Sequence, residues 1–103
     1  MLLLILLENN IMRAILIIPE TQSISIIEIA NKDEIPSLIG FNTIESEAIG
    51  TTGDRLYFDE ECFIRGDTIK GRFQIDTMIP VAGKAVITGS IDINDLKSRI
   101  KFM

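Results

Sequence analysis

Met12-Arg13-Ala14-Ile15-Leu16-Ile17-Ile18 is the stretch on which the fold turns. Apart from Arg13 it is unbroken apolar sequence, rich in isoleucine, whose branched Cβ is stiff and packs well on a pleated surface. A strand with one wet face alternates polar and apolar residues, and this one does not. It therefore reads as a central strand covered on both faces. Pro19-Glu20-Thr21-Gln22 ends it with turn chemistry. Ser23 to Ala30, with Ile24, Ile26 and the Ile27-Glu28-Ile29 stretch, then reads as the returning strand of a hairpin.

Outward from this hairpin the pattern stays short-stranded. Asp33 is placed to cap a short helix over residues 33–39, with Pro36 in its first turn and Gly40 as its stop. Phe41 to Ile49 reads as an exposed strand, and Gly50-Thr51-Thr52-Gly53-Asp54 as a turn. Arg55-Leu56-Tyr57-Phe58 is predicted to be a strand, Asp59-Glu60-Glu61 a turn and Cys62-Phe63-Ile64-Arg65 the return. Further strands are expected at Arg72 to Asp76 and Lys84 to Gly89. Asp92 to Lys101 carries Ile93, Leu96 and Ile100 at helical spacing, with Lys97, Arg99 and Lys101 near the negative pole of the expected helix. The predicted fold is α+β: a mainly antiparallel sheet of five to seven short strands, one short helix, and a C-terminal helix packed on one face. Residues 12–103 are expected to form a single α+β domain. For residues 1–11, beginning Met1-Leu2-Leu3-Leu4-Ile5-Leu6-Leu7, two readings stand: an edge strand turning through Asn9-Asn10, or an extension upstream of a start at Met12. The apolar run is far shorter than the ~20 residues of a membrane helix, and no membrane role is expected.

Composition removes much chemistry. The chain has 103 residues, 15 acidic and 10 basic side chains, a net charge of −5 and a hydrophobic fraction of 47%. Disorder and a second core are excluded by these figures. There is no histidine and one cysteine, so imidazole catalysis, a Cys–His nucleophile and an intrachain disulfide are all excluded. Neither a metal nor a cofactor is expected. Gly83-Lys84 is no phosphate loop, because Met78 and Ala85 stand where Gly and Ser or Thr are required and a strand follows. Ser90 lacks both a base and a nucleophile elbow. The negative charge argues against general nucleic-acid binding, and the single thiol suits a cytoplasmic location.

Three segments carry a resemblance: Met12 to Glu20 with its strand ending at Pro19, Leu56-Tyr57-Phe58-Asp59-Glu60-Glu61 followed by Phe63-Ile64-Arg65-Gly66, and Gly83-Lys84-Ala85-Val86-Ile87-Thr88-Gly89. Over residues 12 to about 99 the chain resembles a family of small proteins from phages and mobile elements, catalogued only as a domain of unknown function. Cys62, where a turn glycine is common, and Asp67 to Gly71 depart from that pattern. The resemblance implies no activity. It implies a context, the cytoplasm of a bacterial host.

Two candidate surfaces emerge. Asp54, Asp59, Glu60 and Glu61 form an acidic patch suited to a basic partner protein. Arg65, Lys70, Arg72 and Lys84, with Tyr57 for stacking, form the alternative, a site for a phosphorylated ligand. The function expected first is a non-catalytic protein that binds and inhibits a host protein, such as one of a defence system. Sequestration of a phosphorylated small molecule or signalling nucleotide is the alternative. A small metal-dependent hydrolase using Asp59-Glu60-Glu61 is the third and weakest. A homodimer through sheet or helix would cover apolar surface that so short a chain leaves open.

Overall fold

Alternate residues of the apolar run enter two different cores. In the computed structural model, which describes residues 11–103, Ile15 and Ile17 belong to one cluster and Ala14 and Leu16 to the other. Both faces of β1 (Met12–Ile18) are thus covered, which explains its lack of alternation. β2 (Ser23–Ile29) returns antiparallel to it, with Met12 opposite Ile29 and Ile18 opposite Ser23, as expected. The strand reading of residues 1–7 lies outside the described residues.

A 3-10 turn at Lys32–Glu34 leads into helix α1 (Ile35–Ile39). The capping side chain is Asn31, which accepts the Asp33 N–H at 2.8 Å, so Asp33 is capped rather than the cap. Gly40 closes the helix in the left-handed conformation, its N–H donating to the Pro36 carbonyl at 2.7 Å. β3 (Ile44–Ile49) and β4 (Asp54–Asp59) form a hairpin, followed by β5 (Arg72–Ile75), β6 (Val81–Ala82), β7 (Ala85–Thr88), helix α2 (Ile93–Arg99) and β8 (Ile100–Phe102). The eight described strands divide into two antiparallel sheets, ordered β2-β1-β7-β4-β3 and β6-β5-β8. The fold is α+β. No helix among the described residues is long and apolar enough to cross a membrane.

Of three departures from the sequence reading, the first two share one cause, the insertion of β7 between β1 and β4. First, β4 pairs with the distant strand β7 as well as with β3. Second, both flanks of β4 are therefore taken, and Cys62-Phe63-Ile64-Arg65 cannot return beside it. That segment instead forms 3-10 turns over Cys62–Thr68, broken at Gly66 with φ 64°. Third, the C-terminal helix stops at Arg99, because Ile100–Phe102 is recruited as β8 along β5. Ile93, Leu96 and Ile100 still reach the same core, the last of them from a strand.

That core lies between the larger sheet and the layer made by α2 and the smaller sheet, with Phe73, Ile75, Val81 and Leu96 facing Ile15, Ile17, Leu56 and Ile87. The second core lies under α1, where Ile35 and Ile39 meet Ala14, Ile29 and Val86.

Candidate functional site

The predicted acidic patch is pulled apart by β4, which has Asp54 at one end and Asp59 at the other. Asp54 is 5% exposed and works as an anchor. Its Oδ1 accepts the N–H groups of Ser90 at 2.7 Å and Ile91 at 3.2 Å, and its Oδ2 accepts the Thr52 hydroxyl at 2.9 Å. Asp59 is 2% exposed. It accepts Arg65 Nε at 2.5 Å, the Glu61 N–H at 3.1 Å and the Thr43 hydroxyl. Burial pushes the Asp59 carboxyl up, but Arg65, Thr43 and the Glu61 N–H together outweigh it and hold the carboxyl below its ordinary range. The Arg65 guanidinium also lies 3.7 Å from the centroid of the Phe41 ring. An acid and a base assigned to competing patches thus form one clasp that fastens the Phe41–Thr43 segment to the end of β4.

Glu60 and Glu61 stay at the surface, and the structure brings Glu45 to them from the neighbouring strand. Glu60 donates its N–H to the Thr43 carbonyl at 2.8 Å, which seats it beside the start of β3. A hydrogen bond with the Glu45 carboxyl, together with the Glu45 charge, raises the Glu60 carboxyl above its ordinary value. Sequence reading missed Glu45, because only the β3–β4 register makes it a neighbour.

The basic group is redistributed as well. Arg65 is committed to Asp59, and Arg72 lies over Phe63 with 5.3 Å to the ring centroid. Tyr57 packs into the core under α1. Lys70 and Lys84 alone converge. They line a cleft of about 330 Å³ whose walls come from the end of β1 (Ile18, Pro19, Glu20), the end of α1 (Ile39, Gly40, Phe41) and residues Thr68 and Ile69. Gly83 donates its N–H to the Gly71 carbonyl at 3.1 Å, so the residues next to these glycines, Lys84 and Lys70, are held side by side. Gly71, at φ 82°, tolerates no side chain, because a Cβ would stand 2.6 Å from the Glu20 nitrogen and the Pro19 carbonyl carbon. Glu20 and Phe41 are cleft residues that the sequence did not reveal, since nothing local links them to lysines many tens of positions away.

Comparison of the chain with protein-family models, with curated proteins and with solved structures gives no match.

Proposed function

We propose that the chain is a non-catalytic interaction protein that binds a basic surface of a host protein through Glu45, Glu60 and Glu61. The observation that carries this is the placing of Glu45 against Glu60, with Glu61 next in the chain, beside β3, an edge strand among the described residues, where Arg65 Nη2 lies 3.6 Å from Glu61 Oε1. Glu60, whose carboxyl is raised chiefly by the hydrogen bond with Glu45 and by the Glu45 charge, gains by meeting a cation on a partner. An edge position leaves room for that partner to approach. The resemblance of residues 12 to about 99 to a family of small phage proteins of unknown function favours a host context. Asp54 and Asp59, whose carboxylates are used inside the fold, are withdrawn from the contact surface.

The test is charge reversal. Proteins retained from a bacterial lysate by the wild type and by a Glu45→Lys, Glu60→Lys, Glu61→Lys variant are compared, and the partner that distinguishes them is purified. Its association rate should fall at least about tenfold in the variant at low salt, and the difference should shrink at high salt. Equal retention of every protein by both chains, or equal association rates, would reject the acidic edge as the contact.

A further inference from the structure

We infer that the cleft between Lys70 and Lys84 is a binding site for a phosphorylated small molecule, separate from the acidic edge. The fold brings Lys70 and Lys84 to one cleft on adjacent segments, tied by the Gly83 to Gly71 hydrogen bond. Neither lysine forms an ion pair among the described residues, and Glu20 places a carboxylate in the cleft wall. The core needs neither of these exposed side chains. An anion seated in the cleft is drawn there by both positive charges.

The form of the cleft narrows the ligand. Its volume of about 330 Å³ is at the small end of ligand pockets, which run roughly 300–1,000 Å³, enough for a phosphate carrying one sugar or base. Phe41 and Ile69 offer apolar surface next to the lysines, which suits a ligand with an uncharged body better than a bare ion. The frame is rigid, because Gly71 is packed directly on the Pro19–Glu20 backbone and Arg65 covers the Phe41 ring. A preformed frame loses little on binding. Lysine presents a point charge rather than a fork, so the site senses charge and size more than the planar geometry of its anion.

The experiment is a backbone amide NMR titration of the full chain with inorganic phosphate, ribose 5-phosphate and adenosine monophosphate. Saturable shifts are expected at Gly40, Phe41, Lys70 and Lys84, with at least one phosphorylated organic probe binding more tightly than inorganic phosphate. Lys70→Gln with Lys84→Gln should weaken that binding about tenfold or more while leaving the rest of the spectrum and the unfolding temperature unchanged. Glu20→Gln should strengthen it, because it removes the opposing charge. The Glu45, Glu60 and Glu61 reversal should leave it unaltered. Absence of saturable shifts with all three probes would overturn the proposal. So would shifts centred elsewhere, or affinity indifferent to both the lysine and the Glu20 substitutions.

Discussion

Asp54 and Gly89 are two halves of one joint. The backbone of Gly89, at φ 118°, passes so close to Asp54 that a Cβ there would stand 2.1 Å from the carboxylate oxygen. That proximity is what lets the carboxylate collect the next two backbone N–H groups, those of Ser90 and Ile91. Gly89→Ala is therefore expected to cost about 3 kcal/mol or more, combining a steric clash with left-handed strain. Asp54→Ala should cost about 2–4 kcal/mol, since it strands N–H donors that lie beside the core. Urea midpoints should fall in both variants with little change in the slope of the transition. Gly40→Ala supplies the contrast. Its φ is 95° with no atom near the missing Cβ, so only the conformational cost of about 1–2 kcal/mol applies. None of this is visible locally, because Asp54 and its partners are 36 and 37 positions apart. In the sequence Asp54 follows a turn glycine and looks like any solvated acid.

Among the elements, β7 decides the sheet. Every residue of Ala85–Thr88 is buried, and the strand pairs with β1 on one side and β4 on the other. Its amides should be the slowest in the chain to exchange with solvent, and those of the edge strands β2 and β3 faster. Exchange of β7 at the rate of the edges would contradict the strand order described above. Ile87→Ala, at a site 1% exposed in the main core, should cost about 2–5 kcal/mol in urea unfolding. The strands themselves were legible, since Met12 to Ile18 and Lys84 to Gly89 carry the apolar runs of buried strands. Their adjacency was not, because pairing across some seventy residues leaves no local trace. The same holds for Cys62 to Arg65, apolar enough to be a strand but denied a flank of β4, and for Ile100, helical by spacing but taken by β5.

At the scale of the whole molecule, stability should depend on pH in two opposing ways. Asp59 and Asp76 have carboxyls lowered in the fold. Burial of Asp59 is outweighed by its hydrogen bonds, and Asp76 is lowered by its bond from Arg99. Their stabilisation is complete above the unfolded carboxylate value of about 3.9 and is lost as the pH falls through their lower folded values. Glu60 is raised, mainly by its hydrogen bond with Glu45, so it contributes in the other direction. Between its raised folded value and the unfolded value of about 4.3 the native state binds the extra proton, and stability rises as the pH falls. Urea unfolding from pH 7 to 3 should therefore show a shallow maximum on the mildly acidic side, then a decline. Glu60→Gln should abolish the rise and keep the decline; a monotonic profile in the wild type would contradict the Glu45–Glu60 coupling. Binding to a basic partner should weaken over the same interval in which Glu60 takes up its proton. By itself the sequence determined the α+β class, the central strand, the short helix and the absence of histidine chemistry, because hydrophobic period, turn residues and composition act over a few neighbours. The tertiary structure alone decided which charges are spent and which are free. Asp59 with Arg65, Asp54 with Ser90 and Ile91, Glu45 with Glu60, and Lys70 with Lys84 are each joined by strand order and register. An electrostatic site is a property of distance in space, and distance along the chain does not encode it.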